Sequence, residues 1–551
     1  MSPAPPLLSL SYAALDFASL LPETVLVLGG CAALMLGAGR GARASTSAWT
    51  ALLSVILALL IVKLPLLLGQ ATPSDIGGGL LLDSVAEFAR TSGLILGIML
   101  VLVAWYQPAA DERGEFFAML LFALAGLLLV GAASDLVILF MAIELVSIPT
   151  YAMVTLSRRR LVTLEAGTKY FYLGALAAAV TAYGFSFLYG VSGTAELGPT
   201  IHAVSRALAD QTPEGALAHN LAVIGVVLSV GGLLFKISAV PLHFYVADVY
   251  QGAASPVAGF LGFVPKLAGF IAIVKVVDLA GWQNTTEGGL FWLIFFVSAL
   301  SMTVGNLLAL RQTNVKRMLA YSGVAHSGYM LVGLVAGPTG GVAGNAAGMM
   351  NDGTAALFYY AVVYGIANLG AFALLALLRV NGRSCETLRD LAGLLRRSPL
   401  AALLMALAMF TLMGLPPTPG FWGKLTLFGS ALGAGQAQTL PLYQNAIFTL
   451  VVVAVLNSAL AAAYYLRVIA AVLLSESDEP AEAAPREALQ MGAVLCGLLL
   501  LIFTLLPDRL LQVGRFASRD LRSAAVELRA TAPGDAPAAT LVVDAPRPSP
   551  G

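Results

Sequence analysis

Apolar residues run along this chain in blocks of about twenty, separated by short polar stretches, from near the N-terminus to about residue 507. A bilayer core of about 30 Å is crossed by about 20 apolar helical residues. Fourteen blocks reach that length, at about 18–38, 48–68, 84–106, 115–132, 135–156, 164–190, 220–244, 255–279, 289–310, 316–336, 354–379, 399–432, 443–473 and 488–507. Two of them set a lysine and a proline five residues apart. In the seventh, GGLLFKISAVPLHFYVADVYQGAASP (Gly231 to Pro256), Lys236 is followed five residues later by Pro241. The twelfth contains LPPTPGFWGKL (Leu415 to Leu425), where Pro416, Pro417 and Pro419 precede Lys424. Proline removes a backbone donor and clashes with the preceding turn, and a charge is costly in hydrocarbon. Each block therefore predicts a helix broken inside the membrane, facing protein or a water-filled cavity.

Paired broken helices at corresponding places in two halves point to inverted repeats around a transport path. The expected fold is an all-α polytopic membrane protein of about fourteen helices with two inverted five-helix repeats and two broken helices. Three N-terminal spans occupy 1–114, the first repeat 115–280 and the second 289–475. A last span at 488–507 and a polar tail at 508–551 follow, the tail Ala/Pro-rich and disordered from Ala530 to Gly551.

Composition agrees: 59% of residues are hydrophobic, 11% are charged and the mean hydropathy is +0.87. The formal net charge is zero and no basic stripe with aromatic interleaving occurs, so nucleic-acid binding has no support. Cys31, Cys385 and Cys496 are far apart, with no metal-cluster spacing, and neither a dinucleotide nor a phosphate-loop glycine motif appears. Nothing here suggests that electrons pass through this chain, and nucleotide chemistry, if any, belongs to a partner. The N-terminus lacks a basic n-region, which makes its first apolar block a retained span.

Charge position is more informative than charge total. Loops around Arg40, Arg43, Arg113, Arg158 to Arg160, Arg311, Lys316, Arg317, Arg379, Arg383, Arg389, Arg396, Arg397, Arg467 and Arg486 alternate with loops holding little beyond Arg206. The positive-inside rule then puts the first set in the cytoplasm and both termini outside.

Four ionisable residues fall well inside spans: Glu144 in LFMAIELVSIPTYAM, Lys236, Lys266 in GFVPKLAGF, and Lys424. Each costs roughly 2.5 to 3.5 kcal/mol at mid-bilayer even on the lenient insertion scale. Glu144 and Lys236 are the natural ion pair, and the remaining lysines have no carboxylate left to them. A buried lysine suits proton transfer because desolvation disfavours its ammonium while a nearby carboxylate restores it. The alternative for each is structural: an ion pair that fixes packing, or a lysine that snorkels. His326, in MLAYSGVAHSGYML, is a candidate relay with Tyr321, Ser322, Ser327 and Tyr329 as hydroxyl neighbours, and equally a hydrogen-bonded core histidine. Arg90, Lys275 and Asp278 sit near span ends and read as snorkelling. Lys169, His243 and Asp248 are read evenly as a proton entrance or as solvated residues.

Four stretches in this order, FMAIELVSIPTYAMV, FKISAVPLHFYVADVYQGAASP, NVKRMLAYSGVAHSGYML and LPPTPGFWGKLTLF, resemble the antiporter-like membrane subunits of the proton-pumping NADH:quinone oxidoreductase, complex I. The resemblance covers roughly residues 80 to 475 and looks closest to the subunit N branch, since no long lateral helix follows and lysine stands at position 424. It implies Glu144 and Lys236 in a first half-channel, Lys266 as central connector, His326 on the tenth span and Lys424 in the exit half-channel. It also implies no cofactor in this chain, with flavin, iron–sulfur clusters and quinone in partner subunits of a bacterial inner-membrane complex. The competing reading is a subunit of a multisubunit cation/proton antiporter. A solute transporter is disfavoured by the line of titratable residues where a pocket of mixed polarity is needed.

Overall fold

A computed structural model of the chain describes residues 17–38, 45–67, 75–107, 112–158, 160–210, 212–282, 288–338, 352–438, 440–477 and 481–521. Arg40, Arg43, Arg159 and the tail expected from Ala530 lie outside them. The chain runs as α1 (Leu21–Gly37), α2 (Thr46–Leu67), a hairpin of β1 (Asp75–Gly77) and β2 (Leu80–Leu81), α3 (Ser84–Ala104), α4 (Arg113–Ala132), α5 (Leu136–Leu156) and α6 (Leu161–Ser192). Then come α7 (Leu197–Ala209), α8 (Ala216–Lys236), α9 (Val246–Gly252), α10 (Ser255–Leu261) and α11 (Val264–Ala280). The remainder begins with α12 (Gly288–Leu310), α13 (Val315–Ala336), α14 (Gly353–Leu377), β3 (Leu378–Val380) and β4 (Arg383–Ser384). It ends with α15 (Leu394–Arg397), α16 (Pro399–Met413), α17 (Pro419–Gln436), α18 (Pro441–Leu473), β5 (Glu482–Ala483), α19 (Glu487–Leu505) and α20 (Pro507–Ala517).

Among the described residues thirteen helices are long and apolar enough to cross a membrane, and the shorter α16 with α17 makes the fourteenth crossing. Several starts are fixed by side-chain caps: Asp83, Asp135, Asn314 and Asp352 accept from the first free N–H groups of α3, α5, α13 and α14. Such a cap contributes about 1 kcal/mol and satisfies donors that lipid cannot.

Connections at the arginine-rich end meet one another. β3 pairs with β4 and β5, Asn314 bridges Thr387, and Arg158 donates to Glu386 at 2.9 Å. At the opposite end Leu80 bridges Ala133, Asp135 bridges Glu196, and the Ser84 N–H donates to Asp520 at 2.8 Å. An even number of crossings puts the start of α1 and the end of α19 at this second end.

Both proline-bearing blocks break, and they break alike. α8 ends with Ser238 in the left-handed region (φ 61°), and the N–H of Ala239 reaches back to the Leu234 carbonyl at 2.9 Å. α16 ends with Gly414 at φ 83°, and the N–H of Leu415 reaches back to Phe410 at 3.1 Å. This is the same helix-ending turn. Aligned on it, Pro241 matches Pro417, each third after the left-handed residue, while Pro416 lies within the break. Pro419 instead opens α17, where a missing N–H costs nothing. The equal five-residue spacing of lysine and proline is therefore not the repeat. Lys236 stands before its break and Lys424 after its own, and both are at the break because Lys424 folds back against Gly414, whose added Cβ would come within 3.0 Å of Lys424 Cδ.

One break was not expected. The eighth block, read as continuous, is interrupted at Gly262 and Phe263 between α10 and α11. Pro265 cannot donate into the ladder of the preceding turn, so the helix ends one turn early and restarts with the proline in its first turn. Lys266 is placed beside that interruption.

α11 and α14 are buried along their whole length, and α13 almost so. The expectation of snorkelling fails here. Arg90 is buried and grips Glu23 with two hydrogen bonds of 2.8 and 2.9 Å, and donates also to the Ser19 carbonyl. Lys275 donates to the Ala133 carbonyl at 2.6 Å, and Asp278 accepts from the Trp282 indole at 2.7 Å. These side chains are enclosed by neighbouring helices and so reach partners where water was expected. Arg90→Ala would strand Glu23 in the interior and is expected to cost about 3 to 5 kcal/mol, read as a lower unfolding temperature in detergent; Glu23→Gln with Arg90→Met is expected to recover most of it.

Candidate functional site

The break after α8 holds Lys236 against α5. Its Nζ donates to Glu144 Oε1 at 2.9 Å and to Ser147 Oγ at 2.7 Å, with the Tyr151 hydroxyl at 3.5 Å. The pair is unequal in depth: the Lys236 side chain is 6% exposed and Glu144 16%, on a face of α5 that also exposes Met141 and Ile148. Glu144 therefore looks outward from the chain and Lys236 inward. Tyr170, Phe235 and Tyr245 stack behind the lysine, with ring centroids 4.3 to 6.2 Å apart.

From here hydrogen bonds step to the middle of the bundle. Ser327 donates to the Ile237 carbonyl, next to Lys236, and accepts from Lys266 Nζ at 3.0 Å. Lys266 also donates to the Gly323 carbonyl and lies 5.2 Å over the Tyr364 ring. His326 follows on α13, 1% exposed. Its expected hydroxyl neighbours are not its partners. Nδ1 lies 2.8 Å from the Tyr360 hydroxyl on α14, and Nε2 lies 2.8 Å from the Tyr465 hydroxyl on α18. Ser322 bonds to Tyr465, and Tyr329 faces the ring at 5.8 Å. Tyr360 and Tyr465 were missed because they are far from His326 in sequence and read as ordinary aromatics in apolar blocks.

Lys424 has no carboxylate within ion-pair distance among the described residues. Its Nζ donates to the Met413 carbonyl at 2.7 Å and to Ser458 Oγ at 2.9 Å, and lies 4.9 Å over the Tyr329 ring. Met413 is the last residue of α16, so the ammonium caps the negative end of that half-helix. Beyond Tyr329 is a polar network that nothing in the sequence pattern marked. Asn306 donates to the Tyr329 hydroxyl at 3.2 Å and to Asn457 Oδ1 at 3.2 Å, and accepts from Tyr464 at 3.0 Å.

At the arginine-rich end, Asp248 on α9 accepts from Lys169 at 3.0 Å and from Arg317 at 2.8 Å, and Lys169 also pairs with Glu165 at 2.7 Å. Asp248, Lys169 and Glu165 line a surface pocket with Gln251 and Val162. Lys169 and Asp248 thus come together, while His243 Nδ1 is buried with no hydrogen-bond partner among the described residues. Lys316, read as a loop charge, is fully buried and donates to the Gln251 and Ala253 carbonyls at 2.9 Å each. It also lies 3.6 Å from Glu386, the partner of Arg158. Burial pushes the Glu386 carboxyl up, but Lys316 and Arg158 outweigh it and hold it below the usual range. A depressed carboxylate contributes stability above its ordinary titration range and loses it as pH falls through the lower folded value. Glu386→Gln is therefore expected to lower the unfolding temperature at neutral pH and to match the parent in acid.

Among the described residues no group of three His, Cys, Asp or Glu is placed to hold a metal ion. What the site offers is a row of proton-exchanging groups crossing helices α5, α8, α11, α13 and α17, with one carboxylate at one end.

Residues 133–449 match the family described as NADH:quinone oxidoreductase/Mrp antiporter, TM. The chain is 33% identical over 509 residues to the NADH-quinone oxidoreductase subunit N of Rhodospirillum rubrum, covering 91% of this chain and 96% of that one. It is 35% identical over 510 residues to the protein of the same name from Granulibacter bethesdensis, covering 91% and 98%. A chain of respiratory complex I from Thermus thermophilus superposes with a TM-score of 0.70 at 31% identity, over 89% of this chain and 98% of that chain. A chain of the Mrp complex from Dietzia sp. DQ12-45-1b gives 0.74 at 19% identity, over 94% and 99%, a likeness of fold alone.

Proposed function

This chain belongs to the antiporter-like membrane-subunit family of NADH:quinone oxidoreductase and Mrp antiporters, and from that membership we infer that it is a membrane-arm subunit of a respiratory NADH:quinone oxidoreductase. Its partners are the other membrane and peripheral subunits of that complex, in a bacterial inner membrane. It translocates protons and carries out no redox step of its own. Flavin, iron–sulfur clusters and quinone belong to the partner subunits.

The observation that carries this reading is the buried row itself: Glu144 pairs with Lys236, Ser327 bridges the Ile237 carbonyl to Lys266, and His326 and Lys424 follow, within a bundle whose helices α11 and α14 are buried along their whole length. Unpaired lysines in a dry interior are poor structural devices and good proton carriers. Spans four to eight and nine to thirteen form the two repeats, with the arginine-rich end in the cytoplasm and both termini outside. Protons enter near Lys169 and Asp248, load Lys236 when Glu144 favours the ammonium, pass Lys266 and His326, and leave through Lys424. Quinone reduction elsewhere shifts the charge facing Glu144 and so drives the row.

The alternative is a subunit of a cation/proton antiporter. The family description covers Mrp antiporters as well, but the relatives at 33% and 35% identity are NADH-quinone oxidoreductase subunits and the complex I chain stands at 31%. Purification of the native assembly tests both. Peripheral flavin and iron–sulfur subunits are expected to accompany the chain, and their absence together with monovalent-cation exchange would overturn the first reading.

A further inference from the structure

We propose that Tyr465 and Tyr360 carry protons on the two sides of His326, so that the step between Lys266 and Lys424 runs through a Tyr465–His326–Tyr360 wire. This rests on the translocation reading above. The two phenols come from different helices, α18 and α14, and each places its hydroxyl 2.8 Å from a different ring nitrogen of one fully enclosed imidazole. A core histidine is satisfied by any two partners, backbone carbonyls included. Here both partners are groups that can give a proton as well as accept one.

Neutral imidazole has one N–H and one lone pair, so one tyrosine must donate to the ring while the other accepts from it. Two such arrangements exist. Consider the ring protonated at Nδ1, donating to the Tyr360 oxygen, with the Tyr465 O–H donating to Nε2. A proton delivered to the Tyr465 oxygen lets its own proton pass to Nε2. Nδ1 then gives its proton to the Tyr360 oxygen, whose original proton leaves on the far side. Three O–H or N–H bonds form and three break, no charge stays on the wire, and the ring ends as the other tautomer. Rotation of the hydroxyls and return of the tautomer reset it.

The two ends of the wire point to the two lysines. On one side the Tyr465 hydroxyl is bonded to Ser322, and the carbonyl of the next residue, Gly323, accepts from Lys266. Ser322 also gives the Tyr465 hydroxyl a second partner to turn to during the reset. On the other side the Tyr360 ring packs so closely on Gly423 that a Cβ there would collide with it, and the next residue is Lys424. Along α13, Tyr465 at Ser322 and His326 and Lys266 at Gly323 and Ser327 share one stretch, and Lys424 lies over Tyr329, three residues beyond the histidine.

Tyr465→Phe and Tyr360→Phe remove one oxygen each and keep the rings that fill the core. In the purified complete complex, reconstituted in liposomes, each variant is expected to lower NADH-driven proton translocation about tenfold or more. Oxidation of NADH by an artificial acceptor, which counts assembled complex, is expected to stay at the parent level, and the double variant to be no worse than either single one. Parent-level translocation in both Phe variants, with His326→Ala impaired, overturns the wire and leaves the wider reading standing. Parent-level translocation in Lys424→Ala overturns the wider reading and the wire with it. Losses that track the amount of assembled complex and add in the double variant overturn the wire as well, since packing defects behave that way.

Discussion

Lys236→Ala is expected to abolish proton translocation by the assembled complex, and Lys236→Arg to do nearly the same although it keeps the charge. The lysine Nζ has Glu144 at 2.9 Å and Ser147 at 2.7 Å, and the rest of its surroundings are apolar or aromatic. Alanine removes the cation in contact with Glu144 and leaves that carboxylate to protonate or to draw in water. Stranding one partner of a buried pair costs about 3 to 5 kcal/mol, a cost that Glu144 softens by being partly exposed. Arginine preserves the pair but never releases its proton under physiological conditions. The two variants therefore separate charge from proton exchange. Translocation in proteoliposomes, normalised to artificial-acceptor activity, is expected to fall about tenfold or more in both, and Glu144→Gln to fall with them. Translocation retained by Lys236→Arg would mean that the site needs only a fixed positive charge.

Lys424→Arg is expected to be at least as damaging at the other end of the row. No carboxylate neutralises this ammonium among the described residues. Its proton is held by the Met413 carbonyl, Ser458 and the face of Tyr329. Dipoles of this kind favour the cation less than an ion pair does, which suits a group that must let its proton go. A guanidinium would keep the dipoles satisfied and block release, and it would also crowd Gly414, already tight against the lysine stem. The expected result is an assembled complex with translocation and quinone reduction lowered together, by about tenfold or more. Lys424→Ala is expected to lose translocation to the same extent and to leave the end of α16 uncapped. Normal stoichiometry in Lys424→Arg would place the exit elsewhere.

Much of the architecture was readable because lipid imposes a length on every crossing. Most of the fourteen apolar blocks correspond to the helices within a few residues; the seventh ends at Lys236, eight residues short of its block, and the twelfth splits into α16 and α17, at the breaks that Pro241 and Pro417 mark. The contact between Glu144 and Lys236, 92 residues apart, was also foreseeable, since one carboxylate and few cations share the hydrocarbon. Depth within the bundle was not readable. Arg90, Lys275, Asp278 and Lys316 stand near span ends, where a chain facing lipid would send them to water, yet neighbouring helices cover them. Nor could sequence spacing find Tyr360 and Tyr465, because helix packing alone decides which of many apolar-block tyrosines meets the histidine. The lysine and proline echo misled for a related reason. Equal spacing in one dimension matched the wrong prolines, and only the shared helix-ending turn aligned the right ones.

The complete burial of α14 bears on how the molecule is made. This helix is wrapped by α3, α10 and α13, synthesised before it, and by α16, α17, α19 and α20, synthesised after it. When α14 first enters the bilayer, roughly half of its eventual neighbours do not exist. Tyr359, which ends bonded to the Pro419 carbonyl, must wait for a residue sixty positions further on. A chain interrupted before α17 would hold its central helix against lipid with the Tyr359 hydroxyl unanswered, a signature by which membrane quality control can recognise an unfinished product. Closure of the bundle around α14 is thus a late event of synthesis, and His326 with its two tyrosines becomes fully enclosed only then.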